Sequence, residues 1–256
     1  MTREFSMDRR AYLQTVGAVG VSATLAGCQG GSDDTIVPGT NATFPPFEYT
    51  QDGEIVGFDV ALAEEVIDRA GYEVGEWVDI DFGSLIPSLN DGDIDLIAAG
   101  MTIEPGRKEQ IDFSDPYWEA SQAVLVRADG GFQPGSVDEL ADRRVGAQAG
   151  TTGEGQIEDL IEAGTITESD YRQYENYTLA VQDLENGNVD AVVIDVPVAQ
   201  NFTAERSVAV AFEIDTGEQY GLGMRQDDDR IADINDAIAE IREDGTYDDL
   251  VAEWHE

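Results

Sequence analysis

The sequence predicts an α/β protein of two similar lobes built on parallel sheets, and three observations carry that prediction. Strand-like and helix-like segments alternate along the chain, the pattern of parallel strands joined by helical crossovers. Ile94 to Ala99 is an unbroken apolar run, as expected of a strand buried on both faces. Third, Ser88-Leu-Asn-Asp-Gly-Asp-Ile-Asp-Leu-Ile-Ala-Ala-Gly100 echoes Asp183-Leu-Glu-Asn-Gly-Asn-Val-Asp-Ala-Val-Val-Ile-Asp195 at the same internal spacing. Each copy reads as helix end, Gly turn and buried strand; chance recurrence of a common turn is the alternative. Gly100 and Asp195 then stand just beyond the carboxyl ends of equivalent strands, where open α/β sheets bind ligands.

Taken in order, the first residues read as an address. Asp8-Arg9-Arg10-Ala11-Tyr12-Leu13 is a twin-arginine pattern, and Val16 to Ala26 is a mild apolar run. A spanning helix needs about 20 strongly apolar residues, so this run is a signal segment instead. Leu25-Ala26-Gly27-Cys28 resembles a lipobox, with a chance cysteine after small residues as the alternative. Residues 1–27 are therefore expected to be a signal peptide, Cys28 a lipidated N-terminus, and 28–34 a tether to the outer face of the cell membrane. Ile55 to Phe58 is strand-like and leads into a helix with Leu62, Val66, Ile67 and Ala70 on one face, stopped at Gly71. Trp77 to Phe82 reads as a strand and Leu85 to Leu89 as a short helix. Ile231, Ile234, Ile238 and Ile241 form a helical stripe closed by Gly245, and Tyr247 to Trp254 makes a last helix.

Composition removes whole classes of function. Against 54 acidic residues stand 14 basic ones, a formal net charge of -40, and Lys108 is the only lysine. No basic face can be assembled for phosphates, so a nucleic-acid partner is excluded. Carboxylates this dense suit molar salt, where the Debye length is about 3 Å and their mutual repulsion is screened. The chain thus reads as halophilic, with an acidic protein of ordinary salt as the alternative. Cys28 is the only cysteine and His255 the only histidine. Disulfides, Ser-His-Asp triads and His-based metal sites are unavailable. Asp91 to Asp95 fails as a calcium loop, because Leu96 and Thr102 stand where Gly and Glu are needed. No cofactor or metal is expected.

Eight stretches, in order, resemble the family 3 solute-binding proteins, the polar amino-acid binders of ABC importers. They are Phe44-Pro-Pro-Phe-Glu-Tyr49, Gly57-Phe-Asp-Val60, Asp95 to Thr102 with Arg107, Asp112-Phe-Ser-Asp-Pro-Tyr117, Gly150-Thr-Thr-Gly-Glu154, Asp190 to Asp195, Gln219-Tyr-Gly221 and Gly245-Thr-Tyr247. The resemblance implies a two-lobed type II periplasmic-binding-protein fold with two crossover strands, near Ala123 to Arg127 and Gln219 to Met224. Lobe 1 would comprise residues 35–124 plus 222–256 and lobe 2 residues 125–221. It also implies a monomer that hands a free amino acid to permease subunits.

The chemistry of a zwitterion asks for one fixed cation, one fixed anion and carboxylate donors. Arg107 offers a planar fork for a carboxylate, which Lys108 could not. Thr102 can add a hydroxyl and an N–H. Thr151 and Thr152 open a helix with Glu154 placed as in a capping box, so their amides can face an anion. Asp195 suits the α-ammonium, helped by the Gly100 carbonyl. By resemblance, Phe44 and Phe82 flank the ligand side chain, with Asn41 and Gln148 near its tip; a neutral polar side chain such as glutamine fits those amides. Plainer roles exist for each: Arg107 as a surface cation beside Glu104 and Glu109, Asp195 as cap of a helix from Pro197, Phe44 and Phe82 as core, Asn41 and Gln148 as turn or surface residues. A receptor-linked sensor and a dehydratase-type enzyme are the rival functions. The shortage of acid–base groups in the expected cleft weighs against the enzyme.

Overall fold

The computed structural model describes residues 34–255. The expected signal segment and Cys28 lie outside the described residues.

Two five-stranded sheets organise the chain. One runs Val78–Asp79, Pro38–Thr40, Leu96–Ile97, Gly223–Met224, Asp112–Phe113; the other runs Tyr171–Tyr174, Val145–Gln148, Ala191–Asp195, Trp118–Arg127, Val208–Tyr220. In each, the first three strands are parallel and the remaining two pairings are antiparallel. The sheets are mixed because the chain must leave one lobe and come back. It enters the second sheet at Trp118 and returns to the first between Tyr220 and Gly223. Trp118–Arg127 and Val208–Tyr220 pair along most of their length. The run Ala123 to Arg127, expected as a crossover, lies inside that ladder, and Ala123 to Val126 are at most 1% exposed.

The internal echo has a physical basis. Helix Leu85–Asp91 ends at Gly92 (φ 82°, ψ 19°) and helix Tyr177–Asn186 at Gly187 (φ 76°, ψ 18°). This left-handed conformation favours glycine, and the following N–H reaches back into the last turn in both copies, Asp93 to Ser88 and Asn188 to Asp183. Asp95 then accepts the Val37 N–H at 3.1 Å, and Asp190 accepts the Arg144 N–H at 3.1 Å. Each aspartate thereby ties its own strand to the neighbouring one. Leu96–Ile97 and Ala191–Asp195 are wholly buried, as their apolar sequence requires.

Helix Phe58–Arg69 buries Phe58, Leu62, Val66 and Ile67, the face the periodicity marks. The strand before it is Glu54–Val56, so Phe58 opens the helix rather than closing the strand. Gly57 makes the break: its φ is 134°, and a Cβ there would lie 2.2 Å from the Phe47 carbonyl oxygen. The segment Trp77 to Phe82 is strand only over Val78–Asp79 before Phe82–Ser84 turns into a short 3-10 helix. Near the end, Ile231–Asp244 buries Ile234, Ala237, Ile238 and Ile241 and stops at Gly245. Helix Thr246–His255 then brings His255 into a stack on Trp118, ring centroids 4.2 Å apart.

Candidate ligand-binding site

A cavity of about 300 Å³ opens where the carboxyl ends of both parallel strand sets face each other, and all ten residues expected to bind ligand line it. From the first lobe come Asn41 and Phe44, just past Pro38–Thr40, and Phe82, past Val78–Asp79. Gly100 and Thr102 lie past Leu96–Ile97, and Arg107 sits on the short helix Pro105–Lys108. From the second come Gln148 and Asp195, the last residues of their strands, and Thr151 and Thr152 at a helix start. Glu48 and Ala99 complete the lining.

Arg107 is 8% exposed, not the surface cation its acidic neighbours allow. Its Nη1 donates to the Thr102 carbonyl (2.8 Å) and its Nη2 to the Gly150 carbonyl (3.0 Å), while Nε stands 3.2 Å from Glu104. Two of its five N–H groups are thus engaged by carbonyls, which leaves one N–H on each terminal nitrogen for a ligand carboxylate. The guanidinium also lies 5.4 Å from the Phe82 ring centroid. Burial lowers its pKa from the usual value, and Glu104, Asp195 and Glu218 oppose that.

Asp195 is 3% exposed and begins helix Val196–Glu205, yet its side chain makes no capping bond. It accepts instead from the Tyr220 hydroxyl at 2.7 Å, which holds the carboxyl toward the cavity. Burial, then Glu218, push its pKa up to about 7; the Tyr220 bond and Arg107 pull the other way. Glu48, 1% exposed, has an Oε2 with no hydrogen-bond partner. Burial first, then Asp59, Asp195 and Asp79, hold its pKa well above the carboxylate range. Behind Gly100, Asp59 accepts the Gly100 N–H at 2.6 Å and the Tyr117 hydroxyl, and burial raises it to about 6.

The helix start follows the capping-box expectation at Thr151, but Glu154 reaches back to Gly150, the residue before the cap, rather than to the Thr151 N–H. Thr151 accepts the Glu154 N–H (3.3 Å), and Glu154 accepts the Gly150 N–H (2.6 Å). Phe44 packs its ring 5.8 Å from Tyr177, and a Cβ on Gly100 would meet that ring at 2.8 Å. Gly100 thus allows Phe44 to close one wall. Gln148 donates to Asn41 Oδ1 across the cleft at 3.0 Å, and Asn41 donates to the Ile80 carbonyl. Both amides are buried cross-lobe contacts rather than turn or surface groups.

Thr102 departs from expectation in one respect. Its hydroxyl donates to Glu218 at 3.1 Å, so that proton is engaged and cannot serve a ligand carboxylate. Its N–H can: the bridge to Tyr220 uses the Ile103 and Gly221 amides and leaves the Thr102 amide out. Glu218 itself escaped sequence reasoning. Its partners Thr102, Thr152 and Gln122 are 116, 66 and 96 residues away, beyond any local pattern.

The family model for bacterial extracellular solute-binding proteins, family 3, matches residues 36–256. The chain belongs to this family. A probable histidine-binding protein of Neisseria gonorrhoeae is 34% identical over 247 residues, covering 90% of this chain and 90% of that protein. Among solved structures, an ancestral arginine-binding protein bound to arginine superposes with a TM-score of 0.81 at 37% identity, covering 87% of this chain and 99% of that one. An ancestral arginine-binding protein bound to glutamine superposes with a TM-score of 0.80 at 38% identity, covering 86% and 97%. This solute-binding protein therefore has the two-lobed type II periplasmic-binding fold, and the relatives named above are binding proteins rather than enzymes. Among the described residues, no helix is long and apolar enough to cross a membrane.

Proposed function

We propose that this protein captures a free L-amino acid between its lobes, favours one with a cationic side chain, and delivers it to an ABC permease. The observation that carries the reading is the cavity's charge balance. One guanidinium, Arg107, stands against two carboxyl groups, Asp195 in the lining and Glu218 bonded to the lining threonines, while Glu48, which burial favours in its protonated form, adds an oxygen without a hydrogen-bond partner. A zwitterion supplies one cation and one anion, which leaves a carboxyl group in excess. A cationic side chain answers that excess, and buried carboxylates without counter-charge are costly. Relatives named for histidine and arginine point the same way. The Gln148–Asn41 amide pair favours a second reading, a neutral polar ligand such as glutamine, because a ligand amide can replace either partner.

A thermal-shift screen of the twenty amino acids in molar KCl separates these. A ligand bound only by the folded form stabilises by RT ln(1 + [L]/Kd), about 2.7 kcal/mol at a hundredfold excess over Kd. Arginine, lysine or histidine should give the largest shift; glutamine leading instead would favour the second reading, and glutamate or aspartate leading would sink both. With salt cut to tens of millimolar, the melting temperature should fall as the carboxylates are unscreened. An unchanged melting temperature would remove the halophilic reading.

The Leu25 to Cys28 pattern supports a mature protein that starts at lipidated Cys28 and is held outside the membrane. Mass spectrometry of membrane-extracted protein should show loss of the first 27 residues and a gain of lipid mass. An intact N-terminus refutes the anchor.

A further inference from the structure

We propose that Glu218 is a positioning residue for the ligand's α-ammonium group: it takes the hydroxyl protons of Thr102 and Thr152 and so turns their lone pairs to the cavity. The proposal rests on the amino-acid reading above and adds a residue outside the cavity lining. Glu218 Oε2 accepts from Thr102 Oγ1 at 3.1 Å, Thr152 Oγ1 at 3.0 Å and Gln122 Nε2 at 3.1 Å. Three donors on one oxygen is the arrangement of a carboxylate anion. Gln122 Nε2 also donates to Thr152 Oγ1 at 2.9 Å, which fixes that hydroxyl further.

A hydroxyl carries one proton and two lone pairs. With the proton committed to Glu218, Thr102 keeps two lone pairs and Thr152 keeps one beside the Gln122 bond. Both threonines line the cavity, and both can then only accept from what enters it. An ammonium brings three donors and no acceptor. Asp195, held by Tyr220 through Oδ1, offers it the other carboxylate oxygen, and the two threonines offer the rest. The ligand carboxylate is driven from these hydroxyls toward Arg107. Thr102 comes from the first lobe and Thr152 from the second, so one carboxylate on the strand between the lobes orients acceptors on both sides.

The test compares L-arginine with 5-guanidinopentanoate, which lacks only the α-amino group, and with agmatine, which lacks only the carboxylate. Calorimetry on the wild type should show L-arginine bound far more tightly than either. In Glu218→Ala the preference over 5-guanidinopentanoate should shrink by about tenfold or more, the worth of one charge-assisted contact. The preference over agmatine, which Arg107 sets, should stay. Glu218→Gln, neutral and able to turn an N–H toward the threonines, should fall between wild type and Glu218→Ala, and remains informative if the alanine variant fails to fold. Equal losses for L-arginine and 5-guanidinopentanoate in Glu218→Ala, or wild-type discrimination in Glu218→Gln, would overturn the proposal alone. A wild type that prefers L-arginine over neither analogue would overturn the zwitterion reading beneath it.

Discussion

Arg107→Ala should weaken amino-acid binding by about 30-fold or more. In the structure the guanidinium spans the cleft, bonded to the Thr102 carbonyl of one lobe and the Gly150 carbonyl of the other. Among the described residues it is the sole cation lining the cavity. Lobe closure desolvates it and the carboxyl groups facing it, and a bound zwitterion compensates both sides together. Without Arg107 the ligand carboxylate is buried beside Asp195 and Glu48 with no counter-charge. Removing one partner of a buried charge pair costs about 2–5 kcal/mol, and about 1.4 kcal/mol is a tenfold change in affinity. Arg107→Lys should bind nearly as poorly, because one ammonium cannot bridge two carbonyls and still present a fork. Calorimetry on both variants, with circular dichroism to confirm the fold, decides the matter. Near-wild-type affinity in Arg107→Ala would mean that the carboxylate binds elsewhere.

Affinity for L-arginine should fall about tenfold for each pH unit below about 7, so that pH 5 weakens binding roughly a hundredfold. The ammonium binds the ionised form of Asp195, and in the empty protein burial and Glu218 raise that carboxyl to about 7. Below that value, binding must first expel a proton. Glu48 and Asp59 share the neighbourhood and are also raised by burial, so the observed midpoint belongs to the cluster. His255 does not interfere, since burial in its aromatic stack holds it at about 4. Stability of the empty protein should run the opposite way. Asp195 starts from 3.8 in the unfolded chain, so between about 4 and about 7 the folded state holds a proton that the unfolded state has released. The empty protein therefore loses stability as pH rises through that window, while the stabilisation given by L-arginine grows. Melting curves with and without L-arginine from pH 5 to 8 test both signs. Parallel curves would show that Asp195 does not take the ammonium.

The architecture and the lining residues were legible because both are written locally. A helix ending in glycine before a buried strand needs a left-handed turn and an unbroken apolar run, and Gly92 with Leu96 and Gly187 with Ala191 show both in the bare sequence. Strand ends carry ligand groups in open α/β sheets, so Gly100 and Asp195 could be placed once the strands were, while Gln148 came only by family resemblance. The ordered motifs did the same for Phe44 and Arg107. Tertiary structure decided what those groups are free to do. Whether Asp195 caps its own helix or faces the cavity depends on Tyr220, 25 residues on, and whether Thr102 donates or accepts depends on Glu218, 116 residues on. Apolar residues at Ala123 to Val126 likewise state that the segment is buried, but only sheet pairing states in which sheet it lies. The balance of charge in the cavity likewise had no local signature. Glu48 is one of 54 acidic residues in the sequence, and burial without a partner for Oε2 is what sets it apart. Propensity and spacing act between neighbours in sequence, whereas proton ownership and desolvation are set by neighbours in space.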